Sequence, residues 1–213
     1  MSHSAAVKIG LFGGTFDPPH NGHVALVEAA LSEMGLDEVW ILPAEPVHRS
    51  LSGHADGLTR LRWLQAIFEG IKGVQVVDWE VTQGRPVAAV ETLKAFRKHN
   101  PGVTPWLMLG ADAWMGLESW REYPLHCEYC NVVVFARSGL GVEQLPDHDE
   151  WKQVNEKQWQ ECKSPGHWCY MPVSLPAVAA TDVRHDAEMG RELTGKVPEK
   201  VRTQIETSYR LDG

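Results

Sequence analysis

The sequence predicts an α/β fold in which a doubly wound parallel sheet is covered by helices on both faces, with a small C-terminal helical extension. Two observations predict this fold. Short apolar runs have the length of buried strands, and they alternate with stretches whose apolar residues recur at helical spacing. This alternation is typical of parallel strands joined by crossover helices. The chain has 213 residues, so we expect residues 1–213 to form a single domain.

Six apolar runs are predicted to form the strands of the sheet. The first ends at the pair Gly13-Gly14, the second ends just before Pro43, and the fourth runs into Asp112. Because ligands of parallel sheets bind beyond the carboxyl ends of the strands, we expect these residues to line one crevice. The predicted strands are, in chain order, 7–12, 37–42, 74–79, 105–109, 131–136 and 168–175.

Helical patterns fill most of the intervals between these strands. They cover 24–34, 58–69, 87–99 and, in shorter pieces, 113–129. Two more helices are predicted near 182–190 and 198–208, the second with Pro198 in its first turn, a position that proline favours. Residues 138–167 interrupt the alternation because they are polar and contain scattered Pro, Gly and His. We expect an insertion or a lid there.

Charge and hydropathy argue against two classes of partner. The net charge of −8 argues against broad binding to nucleic acid. No apolar run reaches 18 residues, so no membrane span is expected, and no apolar signal segment precedes the first strand. We therefore expect a cytoplasmic protein. Assembly into a homo-oligomer stays open at this stage.

The most informative stretch is residues 9–23, IGLFGGTFDPPHNGH. An apolar strand ends at two glycines, and a helical pattern follows with Asn21 as the predicted N-cap. A glycine turn that leads to a helix N-terminus presents free backbone N–H groups and the positive end of the helix dipole. His20 and His23 are three residues apart and therefore project on the same side of the first turn. The pattern predicts a phosphate site equipped for catalysis.

Four cysteines support a second hypothesis. Cys127 and Cys130 form a CxxC pair, and Cys162 and Cys169 flank His167. This spacing resembles that of a zinc site, as in a zinc-bearing interaction module. Buried or incidental thiols in a reducing compartment would explain the same residues.

The segment GGTFDPPHNGH closely matches the signature of the bacterial nicotinate mononucleotide adenylyltransferases, within the HxGH nucleotidyltransferase superfamily. The resemblance runs nearly end to end, and it implies a Rossmann-like nucleotidyltransferase fold in which 178–213 contributes phosphate contacts and helices. The supporting segments are Gly110-Ala111-Asp112, Trp120, Arg137-Ser138-Gly139, Val178-Ala179-Ala180-Thr181-Asp182-Val183-Arg184 and Val197-Pro198.

The resemblance implies that ATP and nicotinate mononucleotide are joined to give deamido-NAD and pyrophosphate, a step of NAD biosynthesis. His20, His23 and Arg184 would be the catalytic residues, which hold ATP phosphates and stabilise charge in the transition state. Mg²⁺ would be carried by ATP, and no metal site in the protein itself is implied. The other residues implied in ATP binding are Gly13, Gly14, Thr15, Phe16, Asp112 and Thr181.

The resemblance also implies an acceptor site. Trp120 would stack on the pyridine ring, and His48 and Arg49 would contact a phosphate. Where the family has Ser-Tyr-Thr, residues 87–89 read Val-Ala-Ala. In the family this loop meets the nicotinate carboxylate largely through backbone N–H groups, which Ala88 and Ala89 retain. The preference between nicotinate and nicotinamide stays open.

Two alternatives to this function remain. One keeps the chemistry but uses nicotinamide mononucleotide or another phosphorylated acceptor. The other is a non-catalytic nucleotide-binding regulator, since Ala179 replaces the first serine of the family's last motif and removes a hydroxyl near the triphosphate. The presence of His20, His23 and Arg184 favours an enzyme.

Overall fold

A computed structural model describes residues 7–45, 54–137, 139–155 and 157–210. Its strands are β1 (Ile9–Gly14), β2 (Glu38–Pro43), β3 (Val74–Val76), β4 (Trp106–Gly110), β5 (Asn131–Arg137), β6 (Lys152–Gln153) and β7 (His167–Val173). They form one sheet in the spatial order β3-β2-β1-β4-β5-β7-β6, and every pair is parallel. The chain moves outward from β1 to β3 and then returns to β4 on the other side of β1. The switch point therefore lies between β1 and β4.

Helices cover both faces of the sheet. They are α1 (Asn21–Ser32), α2 (Gly57–Phe68), α3 (Ala89–His99), α4 (Ala111–Met115), α5 (Ala180–Glu188) and α6 (Arg202–Tyr209). Buried residues of α1, α2, α5 and α6 share one core, whereas α3 and α4 contribute to the other. The doubly wound sheet and its C-terminal helical extension are thus confirmed. None of the helices in the described ranges has the length and hydropathy that a bilayer span requires.

The sheet separates the two cores. Leu11 and Phe12, neighbours on β1, are buried on opposite faces because successive side chains of a strand alternate. The cysteines are divided in the same way. Cys169 belongs to the core that contains α1, and Cys162 packs against that core. Cys130 belongs to the core that contains α3, and Cys127 packs against that one. One zinc ion cannot collect ligands through the sheet, so the zinc hypothesis is wrong.

Several element boundaries differ from the sequence prediction. α1 begins at Asn21 with His20 as its N-cap, whereas the sequence predicts Asn21 as the cap. β3 ends at Val76 rather than at residue 79. The predicted helical piece 113–129 consists of α4 and two 3₁₀ turns, Leu117–Ser119 and Leu125–Glu128. Gly116 and Pro124 interrupt this piece, since both residues disfavour a continuous helix.

The segment between β5 and β7 carries a strand that the sequence does not predict. β6 pairs with His167 and Trp168 at the start of β7, and its two residues are too few to show a hydrophobic period. Trp151 and Trp159 of this segment are buried, and the Trp159 ring meets the Trp106 ring edge-on at 5.5 Å. The segment therefore extends one edge of the sheet and its core. Its closure over a substrate stays a prediction.

Candidate active site

β1 continues in register with β2 through Gly13 and Gly14, so the chain turns after the two glycines rather than at them, where the sequence predicts the turn. Gly14 pairs with Pro43 of β2, and its carbonyl accepts a hydrogen bond from the Ala44 N–H at 2.8 Å. A Cβ on Gly14 would lie 3.1 Å from the Phe16 ring, so this close packing favours glycine. Phe16 itself has a φ of 49°, which residues with side chains seldom adopt. The turn directs the chain from β1 toward α1.

His20 and His23 form a stacked pair at the N-terminus of α1. Their ring centroids are 3.7 Å apart, and the ring planes differ by 23°. The His20 N–H donates to Nδ1 of His23 at 3.1 Å, which places the proton of the neutral His23 ring on Nε2. Gly22 permits this packing, because a Cβ there would lie 3.0 Å from the His20 ring. Strand, turn and helix thus bring the two predicted histidines together.

The surroundings of His23 favour its neutral form. Burial lowers the pKa of His23 well below its ordinary value, and the charge of a protonated His20 lowers it further. The ring of Phe16 packs against the His23 ring at 4.9 Å between centroids. A neutral ring still donates a hydrogen bond through Nε2, and an anion bound there would raise the pKa of the ring. The pair is therefore suited to binding phosphate oxygens.

A cavity of about 570 Å³ is lined by both histidines. The start of α5, at Ala179 and Ala180, and Asp112 of α4 also line it. His20 and Ala179 are the N-caps of α1 and α5. The first-turn N–H groups of these helices and their dipoles favour a bound anion. The cavity has the size and electrostatic character for a phosphate-bearing ligand.

Arg184 lies one turn beyond the start of α5. Its Nη2 is 3.4 Å from Oγ1 of Thr181. Its Nη1 donates to the carbonyl oxygen of Asp17 and lies 3.9 Å from the Asp17 carboxylate. The guanidinium thereby connects α5 to the loop that leads into α1. The structure thus places the predicted pair Thr181 and Arg184 next to the loop that carries His20.

A second cavity, of about 270 Å³, lies on the other face of β1. Its wall contains Gly13–Thr15, Ala89 and Trp120. Ala88 is the N-cap of α3, and its N–H donates to the carboxylate of Glu91 at 3.3 Å. Of the predicted acceptor residues, Ala89 and Trp120 thus meet at one cavity, whereas Ala88 does not line it.

Two of the predicted acceptor residues, His48 and Arg49, lie outside the described residues. The Trp120 ring, by contrast, has a defined neighbour. The buried His126 meets it edge-on with 5.7 Å between ring centroids. This contact orients the face of the tryptophan that a ligand in the second cavity would use.

Asp17 organises the loop between Phe16 and His20. Its carboxylate is only 3% exposed, and it accepts hydrogen bonds from the hydroxyl of Tyr209 and from the N–H of Ala55, the latter at 3.1 Å. The imidazole of His54 pairs with the same carboxylate. Burial and the bond to Asp17 raise the pKa of Tyr209 above its ordinary value. Most of these partners are distant in sequence, so no local motif predicts them.

Arg60 of α2 joins the loops that follow β1 and β2. The side chain is fully buried, and it donates to the carbonyl oxygens of Thr15, of Ala44 at 2.8 Å and of Ala55 at 3.1 Å. It also pairs with the carboxylate of Glu45 at 3.2 Å. These contacts hold the strand ends that border both cavities. A single arginine in an amphipathic helix gives no signal of this role in the sequence.

Comparisons with known proteins identify the family of the chain. The model of the cytidylyltransferase-like family matches residues 11–184. A probable nicotinate-nucleotide adenylyltransferase of Nitratiruptor sp. is 38% identical over 136 residues, which are 64% of this chain and 77% of that protein. Another, from Campylobacter fetus, is 32% identical over 152 residues, which are 71% of this chain and 82% of that protein.

A solved structure shows the same fold. It is that of the Plasmodium falciparum nicotinic acid mononucleotide adenylyltransferase complexed with NaAD, which covers 95% of both chains with a TM-score of 0.69 at 14% identity. On the family model and the two bacterial relatives, the chain belongs to the cytidylyltransferase-like family and, within it, to the nicotinate-nucleotide adenylyltransferases.

Proposed function

We propose that the protein transfers the adenylyl group of ATP to the phosphate of nicotinate mononucleotide, which forms deamido-NAD and releases pyrophosphate. One observation carries this proposal. The glycine end of β1 has a cavity on each side, one lined by His20 and His23 and the other by Ala89 and Trp120. A reaction that joins two nucleotides requires two neighbouring sites. The family membership of the chain supports the same chemistry.

The first cavity would hold the triphosphate of ATP. The acceptor phosphate is already an anion at neutral pH, so the protein must mainly position both substrates and neutralise charge. His23 would donate through Nε2 to a phosphate oxygen, with His20 beside it, and their bonds would strengthen as charge develops in the transition state. Thr15, which lines the second cavity, and Phe16 would add backbone N–H groups from the turn that follows β1.

The far end of the triphosphate would be held from α5. Arg184 would bind the leaving pyrophosphate, because its planar fork suits phosphate oxygens, and Thr181 would add a contact at the helix start. Asp112, in the wall of the same cavity, would accept from a ribose hydroxyl. Mg²⁺ would be carried by ATP itself. Such an ion would neutralise phosphate charge.

The second cavity would hold the pyridine ring. Trp120 would stack on the ring, and the start of α3 would meet the ring substituent. The Ala88 N–H is engaged by Glu91, whereas the Ala89 N–H belongs to the first turn, where a helix offers no internal partner. Ala89 is therefore the better placed of the two for a nicotinate carboxylate. His48 and Arg49 stay predicted contacts of the acceptor phosphate.

The test is pyrophosphate release from ATP, with nicotinate mononucleotide and nicotinamide mononucleotide compared side by side. We expect turnover with the nicotinate form. Nicotinamide mononucleotide is the second candidate acceptor, since a buried carboxyl group, Glu80, also lines the second cavity. Turnover with neither acceptor would contradict the proposal.

A further inference from the structure

The wall of the acceptor cavity contains an unusual group, the side chain of Glu80. Glu80 follows β3, is only 6% exposed, and lines the cavity together with Ala89 and Trp120. Its Oε1 accepts a hydrogen bond of 2.6 Å from Oγ1 of Thr92. None of the ion pairs found in the described part of the chain includes it. A buried carboxyl group with a hydroxyl partner but no cation is costly to ionise.

Among the described residues, the charged groups around Glu80 do not lower this cost of ionisation. Glu45 lines the same cavity and is itself paired with Arg60 at 3.2 Å. Glu91, in the first turn of α3, is negative as well, and its carboxylate engages Arg85 at 2.7 Å. The available cations are thus shared with other carboxylates.

Arg121, a further cation near α3, also pairs with Glu91. Arg121 lies 3.8 Å from that carboxylate, and the arginine is largely exposed. Burial and the charge of Glu91 raise the pKa of Glu80 to about 7, although the hydrogen bond from Thr92 acts in the opposite direction. Glu80 therefore changes its charge within the neutral pH range.

We propose that Glu80 is a specificity-determining residue that couples the charge preference of the acceptor site to pH. Its neutral form tolerates the carboxylate of a nicotinate ring, and its ionised form repels that carboxylate and favours the uncharged amide. This proposal rests on the proposed adenylyl transfer to a pyridine mononucleotide. It goes beyond that function because it identifies the side chain that discriminates between a carboxylate and an amide on the pyridine ring.

The sign of the pH dependence follows directly. The nicotinate carboxylate is ionised between pH 6 and pH 8, and the amide is uncharged there. As the pH rises, Glu80 ionises and like charges meet in the cavity, so use of the nicotinate form falls relative to the nicotinamide form. Titration of the acceptor phosphate, or of any other group that both acceptors share, cancels in their ratio.

The experiment measures kcat/KM for nicotinate mononucleotide and for nicotinamide mononucleotide from pH 6 to pH 8. In the unaltered protein, we expect their ratio to fall about tenfold, which is the change in the neutral fraction of a group with a pKa of about 7. Glu80→Gln keeps an acceptor for Thr92 but cannot ionise, so its ratio should stay constant. Glu45→Gln, the matched control in the same cavity, should retain the fall.

A second variant protects the test against misfolding of Glu80→Gln. Thr92→Val removes the hydrogen bond that lowers the pKa of Glu80, so the midpoint of the fall should move to higher pH. A ratio that changes less than twofold in the unaltered protein would overturn the proposal, as would an unchanged midpoint in Thr92→Val. Absence of turnover with both acceptors would instead contradict the proposed function.

Discussion

At the scale of single residues, the packing of the histidine pair supports the proposed role of His20 and His23 in phosphate binding. A surface histidine has its ordinary pKa and turns freely, whereas His23 is packed on Phe16 and accepts from the His20 N–H. The pair is therefore held with defined donors before any ligand arrives. Preorganised donors of this kind contribute to catalysis because they need no rearrangement as charge develops.

This geometry predicts a catalytic effect for one substitution. His23→Ala should lower kcat by about 10²-fold or more, because it removes a donor to the transition state, and it should leave the folded state intact. Turnover is measured by pyrophosphate release and folding by circular dichroism. His99→Ala, a change to an exposed histidine at the end of α3, is the control. A kcat within a few-fold of normal for His23→Ala would contradict the role of His23.

At the scale of elements, two side chains connect helices to the loops of the site. Arg60 fastens α2 to the ends of β1 and β2, and Tyr209 fastens α6 to Asp17. The Arg60 guanidinium and the Asp17 carboxylate are buried charges that have lost their contacts with water. The hydrogen bonds from Arg60 to the loop carbonyls and from Tyr209 to Asp17 replace those contacts. The shape of the site thus depends on helices that line neither cavity.

We expect Arg60→Met to lower the free energy of unfolding by about 3–5 kcal/mol, because it leaves carbonyl oxygens and Glu45 without their buried partner. Urea unfolding measures the loss. Arg62→Met is the matched control, since Arg62 lies on the same helix and is exposed; it should change the free energy by less than about 0.5 kcal/mol. Equal effects of the two variants would contradict a structural role for Arg60.

The Tyr209 hydroxyl can be tested without disturbing its ring. Tyr209→Phe keeps the packing on Trp63, whose ring centroid lies 6.1 Å away, and removes one donor to the Asp17 carboxylate. We expect a loss of about 2 kcal/mol, as for a hydrogen bond to a charged group. The control is Thr207→Ala, because that hydroxyl bonds only the backbone of its own helix. No difference between the variants would show that Asp17 does not need this donor.

At the scale of the whole molecule, the segment between β5 and β7 belongs to the cooperative core. β6 extends the sheet, and Trp159 packs against Trp106 of β4. Among the described residues of the segment, Leu140 alone lines the cavity of the histidines. These contacts predict an effect of the segment on stability.

Trp159→Ala should destabilise the whole protein by about 3–5 kcal/mol, because it opens a cavity in a packed core. Thermal and urea unfolding should show one transition at lower temperature and lower denaturant concentration. Gln160→Ala, an exposed neighbour, should be nearly neutral. If the segment were a detachable lid, Trp159→Ala would leave the main unfolding transition unchanged.

The sequence by itself determined the alternation of strands and helices, the glycine end of β1 and the two histidines that follow it. Local periodicity, glycine and helix-start signals express these features within a few residues, so they can be read without the fold. Only the tertiary structure decided that Arg60 is buried, that Asp17 meets Tyr209, and that Glu80 enters the acceptor cavity. These roles depend on contacts across tens of residues or more, and on burial, which changes the energetic cost of a charge. A local sequence pattern predicts neither the long-range contacts nor the burial of these side chains.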